Sequence, residues 1–182
     1  MHRRTLLTLA GGVTLLGMPA FAQQRSAQDG QMGDAEIKHM EDTMRIGSLA
    51  LATSRIAQQK AQNDMVKQFA AFEVAEQETI AEVLNSMRGA ATTGSGGKAA
   101  EPKLDEKGQQ ILQKLQSAKS GREFDQEYVK AQTDGHQQLL QIQEAYLKAG
   151  KMREHVNVAK LARGQIKEHL VLLDKIDLKN KR

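Results

Sequence analysis

The sequence predicts an all-α fold, one antiparallel four-helix bundle with a long crossover that contains a short extra helix. Three observations lead there. Four segments repeat apolar residues at alternating spacings of three and four, which keeps one face of a helix turned to a core. Both prolines, Pro19 and Pro102, fall outside those segments, as they must, because proline inside a helix removes a hydrogen bond and clashes with the preceding turn. No stretch alternates apolar and polar residues in the manner of a half-buried strand.

Residues 1–22 read as a cleaved export signal. Arg3 and Arg4 precede an apolar stretch from Leu6 to Leu16, and Ala20 and Ala22 fit the small-residue cleavage rule ahead of Gln23. A retained membrane anchor is the weaker alternative, since Gly11, Gly12, Gly17 and Pro19 interrupt a segment already short for spanning. Arg3-Arg4-Thr5-Leu6-Leu7 has the form of a twin-arginine signal, and an ordinary basic n-region fits equally well. Both routes predict a bacterial periplasmic protein with no stable membrane span after cleavage. Loss of Arg3 and Arg4 takes the formal charge from +4 to +2.

Residues 23–33 lack the apolar side chains needed to offset the entropy of ordering them and are expected to form a disordered tether. The folded domain is expected over 34–178. Asp34 offers an N-cap, and Ile37, Met40, Met44, Gly47 and Leu51 carry the first helix to about Ala61. Asn63 or Asp64 caps the second, whose seam reads Val66, Phe69, Glu73, Glu76, Ile80, Val83 and Met87 and which ends near Gly89. Residues 90–103, with Gly94, Gly96, Gly97 and Pro102, form a linker. A weaker helix, Leu104 to Ala118, follows. Gly121 opens the third long helix, with Phe124, Tyr128, Ala131, Gly135, Leu139, Ile142 and Tyr146 on its seam, and Gly150 stops it. The fourth carries His155, Ala159, Ala162, Ile166, His169, Leu173 and Ile176, ahead of a basic tail, 179–182. Helices one and two, and three and four, are joined tightly, while roughly 30 residues separate two from three, long enough to run the length of a bundle. That is the one-crossover arrangement of ferritin-like folds.

Composition excludes several classes. The chain has no Cys, no Trp and 3% aromatic residues, which removes disulfide scaffolds, thiol nucleophiles and Cys-ligated metals, and leaves too few rings for a base-stacking platform. Charges of both signs are interspersed without a basic stripe, so no nucleic-acid partner is expected. The basic tail suits a helix C-terminus, with contact to anionic lipid as the alternative. A homodimer through leftover apolar helix surface is compatible with a bundle of this size. The sequence specifies no partner.

Polar residues on apolar seams are the informative feature, because a carboxylate facing a core must be paired, hydrogen-bonded, protonated or coordinated to a metal. Glu73 and Glu76 lie one turn apart on helix two, His136 lies near the middle of helix three, and His169 is on the seam of helix four. Together they form one candidate layer. Two carboxylates and two imidazoles from three helices have the composition of a transition-metal site for iron, manganese or copper. The alternative is a structural polar layer, in which Glu73 or Glu76 pairs with Arg45, Arg55, Lys130 or Arg163 and His136 donates to Tyr128, Gln132 or a backbone carbonyl. A complete ferritin-type di-iron set is absent, since Ile166 and Thr133 stand where a Glu should precede His169 and His136. The one literal Glu-x-x-His, Glu36 with His39, reads as a coincidence in a first turn where acids are favoured. Met40 and Met44 read as core, with a copper(I) role beside His39 as the alternative. Gly47, Gly135 and Gly164 suggest close helix approach or room for a neighbouring side chain.

The residues also resemble a family. Gly47-Ser48-Leu49-Ala50, Val66-Lys67-Gln68-Phe69-Ala70, Phe124-Asp125 with Tyr128, Gln132 and His136, and His169-Leu170 are similar to the secreted bacterial ferritin-like proteins catalogued as domain of unknown function 4142, over about residues 35–176. The resemblance implies a periplasmic four-helix domain and no particular chemistry. Where that family usually carries a Glu four residues before the helix-one glycine and an Asp-His pair in helix two, this chain has Thr43 and Glu76-Gln77. The functional expectation is non-enzymatic binding, or an envelope or stress role, with no catalytic residue and no cofactor. The alternative is a metal-binding protein with a degenerate carboxylate and histidine site.

Overall fold

Helix starts follow from local hydrogen bonding, and the computed structural model describes residues 32–91 and 103–176. The helices are α1 (Asp34–Lys60), α2 (Asp64–Ala91), α3 (Glu106–Ser117), α4 (Arg122–Ala149) and α5 (Arg153–Lys175), with no strand among the described residues. The expected export signal, nearly all of the expected tether, most of the expected Gly-rich linker and the basic tail lie outside them. No described helix is long and apolar enough to cross a membrane.

The caps refine the expected boundaries. Gly33, not Asp34, is the N-cap of α1, and the Glu36 carboxylate accepts its amide at 3.2 Å. Asn63 caps α2, its Oδ1 accepting from the amides of Met65 and Val66 at 2.8 and 3.4 Å. Asp105 caps α3 by accepting from the Gly108 amide at 2.8 Å. Helix α2 also runs past Gly89 to Ala91.

Side-chain pairs establish the topology. Glu36 meets Tyr146, and Ser54 meets Tyr128, so α1 and α4 are antiparallel. Arg55 with Glu78, and Met40 and Met44 packed with Leu84, set α1 antiparallel to α2. His136 with His169, and Tyr146 with His155, do the same for α4 and α5. Helix α2 therefore ends where α1 begins, whereas α4 starts at the opposite end, where the Asp125 carboxylate accepts the amides of Gln62 and Asn63. The connection between them traverses the bundle once, with α3 packed outside α1 and α4, as its length predicts.

The core has three apolar clusters, one around Phe69, Phe124, Tyr128 and Leu173, one around Ile46, Leu139 and Ile166, and one around Met40, Met44 and Leu84. The α5 seam is buried at all seven expected positions. The α2 seam differs: Val83 is exposed and Glu76 half-buried, while Gln77 and Leu84 face the core. The reason is geometric, since a strict seven-residue repeat drifts by about 20° per heptad around a straight helix. Ile37 of α1 also faces solvent. Gly164 has nothing within 4 Å of where a Cβ would sit, so it makes no close approach.

Candidate metal centre

Three helices bring Glu73, His136 and His169 to one point inside the bundle. Each is almost fully buried, at 0%, 1% and 5% exposure. Glu73 Oε2 lies 3.3 Å from His136 Nε2 and 3.0 Å from His169 Nδ1, and the two nitrogens are 3.0 Å apart. These are three of the four candidate residues. The fourth, Glu76, stands outside the triangle, half-buried, with its Oε2 3.1 Å from the far nitrogen of His169.

The surroundings fix the tautomers. His136 Nδ1 is 2.7 Å from the Gln132 backbone carbonyl, which can only accept, so Nδ1 carries the proton and Nε2 turns a lone pair inward. The Glu76 carboxylate likewise holds a proton on His169 Nε2, leaving Nδ1 to face the triangle. The Gln77 amide donates to Glu73 Oε1 at 2.9 Å, which turns Oε2 toward the imidazoles. That oxygen is buried and accepts no well-aligned hydrogen bond. Phe69 lies edge-on to both imidazoles.

With both histidines neutral, three acceptors would face one another at contact distance. A positive charge among them resolves the conflict. Without a metal that charge is a proton on His169: burial pushes its pKa down, but the Glu73 and Glu76 carboxylates outweigh that and raise it to about 9. Burial pushes Glu73 up, and the two histidines more than reverse this, holding it at about 2. The imidazolium then donates from Nδ1 to His136 and from Nε2 to Glu76, and Glu73 Oε2 is left compensated in charge but without an aligned donor.

A metal ion fits the same triangle. Bonds of 2.0–2.2 Å place adjacent ligands about 2.9–3.4 Å apart, on an edge of a tetrahedron or octahedron, and all three observed separations fall in that range. The donor set, two imidazoles and a carboxylate on one face, is that of first-row transition ions. Among the described residues this is the one group of three or more such side chains close enough to share an ion.

One expectation requires correction. None of Arg45, Arg55, Lys130 or Arg163 pairs with Glu73 or Glu76 among the described residues; Arg45 meets Asp42 and Asp105, Arg55 meets Glu78, and Lys130 meets Asp134. Those long side chains project from outer faces, whereas the glutamate faces inward and takes its counter-charge from histidine. Glu36 and His39 share no contact of their own, as a chance Glu-x-x-His spacing implies, and take separate partners. The Glu36 carboxylate accepts from the Tyr146 hydroxyl at 2.8 Å and from the Lys151 and Met152 amides, which ties the α4–α5 turn to the start of α1. His39 is buried against Gln143, Tyr146 and His155. Those partners lie more than 100 residues away in sequence.

The chain matches the family model described as "Domain of unknown function (DUF4142)" over residues 21–176. The chain belongs to this family. No curated protein matches the sequence. Among solved structures, the family's fold as seen here is similar to a DUF305 fragment from Deinococcus radiodurans, with a TM-score of 0.66 and 12% identity over 80% of this chain and 97% of that one. At that identity the likeness concerns the fold alone.

Gly47 supports the centre from α1. A Cβ there would collide with Gln77 Oε1, so the glycine makes room for the amide that orients Glu73. Alanine usually gains about 1 kcal/mol over glycine inside a helix. Gly47→Ala is expected to forfeit that gain and to weaken metal affinity about 10-fold or more, because displacing a partner that orients a ligand typically costs that much. Thermal melts and a competitive metal titration of the variant check both.

Proposed function

We propose that this protein is an exported, periplasmic four-helix protein that binds one divalent first-row transition ion through Glu73, His136 and His169. The convergence of three buried acceptors, each turned inward by its own outer hydrogen bond, carries the reading. Charge supports it, since Glu73 in the triangle and Glu76 beyond His169 together balance a dication. Glu76 is also the half-exposed member, so the layer communicates with solvent on its side. The role is binding rather than turnover. The leader pattern from Arg3 to Ala22 supports the compartment.

Metal per chain, measured on untagged protein from the periplasm without chelators, tests the reading. About one equivalent of a divalent ion is expected, with its loss in both Glu73→Gln and His136→Ala and an intact mass that begins at Gln23. Absence of metal, together with a melting temperature indifferent to added iron, manganese or zinc, would overturn it in favour of a structural polar layer.

A further inference from the structure

A second buried imidazole pair lies toward the end of the bundle where α1 begins and α4 joins α5. We infer that His39 and His155 form a separate site for one monovalent soft cation, cuprous copper, independent of the Glu73 layer. The two rings are 2% and 0% exposed, and their Nδ1 atoms face one another at 3.3 Å.

Proton accounting shows why this pair is incomplete. The Gln143 side-chain amide donates to Thr43 Oγ1 at 3.0 Å, so its Oε1 is the atom that faces His39 Nε2 at 2.7 Å. His39 Nε2 therefore carries the proton and its Nδ1 is a lone pair. If His155 is protonated on Nδ1, it donates to His39 and its buried Nε2 has no partner. If it is protonated on Nε2, that N–H is buried without an acceptor and two Nδ1 lone pairs oppose each other. Each neutral tautomer thus wastes a buried nitrogen, which costs free energy in an interior. A third option, an imidazolium, is disfavoured: burial lowers the pKa of both rings, and for His155 the neighbouring His39 lowers it further.

A cation between the two Nδ1 atoms turns the opposed lone pairs of the Nε2-protonated tautomer into ligand bonds, and the buried His155 Nε2–H stays without a partner. Two nitrogens 3.3 Å apart, each about 2.0–2.1 Å from an ion, subtend close to a tetrahedral angle. The charge of the donor set selects the ion. Both donors are neutral, and Glu36, whose charge reaches both rings, has its oxygens occupied by Tyr146, Lys151, Met152 and Gly33. Glu36 is the one carboxylate whose charge reaches both rings, with Asp42 acting on His39 alone and Glu154 on His155 alone, whereas in the Glu73 layer two carboxylates face the same imidazole. Thioethers are close at hand: Met40, next to His39, and Met44 belong to an apolar cluster that also includes Met87 and, one turn from His155, Val158. A thioether-rich neighbourhood around two neutral imidazoles suits copper(I) better than a divalent ion. A groove of about 470 Å³ between α1 and α4 reaches His39 and Tyr146 from solvent.

Anaerobic titration of the full mature chain with copper(I), against a chromophoric copper(I) chelator, tests the proposal. The expected result is one bound equivalent that is lost in His39→Ala and in His155→Ala but kept in His136→Ala. Copper(I) is diamagnetic, so imidazole ¹⁵N spectra of the wild-type protein read the same question even where a variant fails to fold. The Nδ1 resonances of His39 and His155 should shift with the first equivalent, while those of His136 and His169 stay. No shift at His39 and His155, or copper lost only with His136, would overturn it. Neither outcome depends on whether the Glu73 layer holds its own divalent ion.

Discussion

Glu73→Ala is expected to lose metal binding and about 3 kcal/mol of folding stability even in metal-free protein. Removing one partner from a buried charge pair normally costs about 3–5 kcal/mol, because the remaining charge stays desolvated without compensation. Here the cost falls at the lower end, since Glu76 still faces His169 Nε2 at 3.1 Å. Part of it comes from elsewhere: the Gln77 amide loses its acceptor, and a fully buried side chain is replaced by a cavity. Glu76→Ala is the internal comparison. That carboxylate is half-exposed, so solvent takes over much of its role and the loss should be about 1 kcal/mol or less. Urea unfolding with an unchanged slope measures both. Equal losses in the two variants would mean that burial does not set the worth of the Glu73 charge.

How far the fold was legible depends on which residues carried the pattern. On α5 the apolar spacing, the two histidines and the small alanines all agree, and every expected seam position is buried. On α2 the same rule predicts Glu76 and Val83, while the helix buries Gln77 and Leu84. A glutamine offers no hydrophobic signal, and its burial makes sense only once Gly47 of α1 is seen to leave space for it. The crossover was legible because chain length alone shows which ends a connection can join.

The candidate site was legible in membership but not in roles. Glu73, Glu76, His136 and His169 are polar groups at helical spacing, and that pattern brings them to one layer without distinguishing which point inward. The distinction between Glu73, inside the triangle, and Glu76, outside it, is set by the rotation of α2 against α5. The His39 cluster was not legible, for a different reason. Its contacts with Gln143, Tyr146 and His155 span 104 to 116 residues or are ring contacts between distant helices, and no local window contains them. Amides on helix faces look like solvated surface in a sequence, yet Gln132 and Gln143 are buried here, where the Gln143 oxygen holds the His39 tautomer and the Gln132 amide donates to Ala50, Thr53 and Ser54 of α1.

The pH dependence of stability should separate these two histidine groups, because their shifts have opposite sign. His169 goes from its ordinary 6.5 up to about 9 on folding. The folded state holds that proton more tightly, so the contribution is complete below pH 6.5 and is lost as pH rises through 9, about 3 kcal/mol in all. The counterpart of this pair, Glu73, falls from 4.5 to about 2, and its contribution is present above pH 4.5 and lost as pH drops through 2; the two describe one interaction and are not summed. His39 and His155, depressed by burial, contribute fully above 6.5 and progressively less as pH falls below it. Metal-free protein should therefore be most stable near pH 6.5, with an alkaline limb that belongs to His169. In His169→Gln that limb should vanish and the acid limb should remain. Saturation with zinc, a redox-inert stand-in for the divalent ion, should also flatten the alkaline side. With the ion on Nδ1, His169 enters unfolding already without the second proton, and above pH 6.5 the unfolded imidazole takes none up, so stability no longer changes there. Urea unfolding between pH 5 and 10, with and without zinc, reads the limbs directly. An alkaline limb that persists in His169→Gln would remove the imidazolium from the Glu73 layer, and with it the proton that the metal is expected to replace.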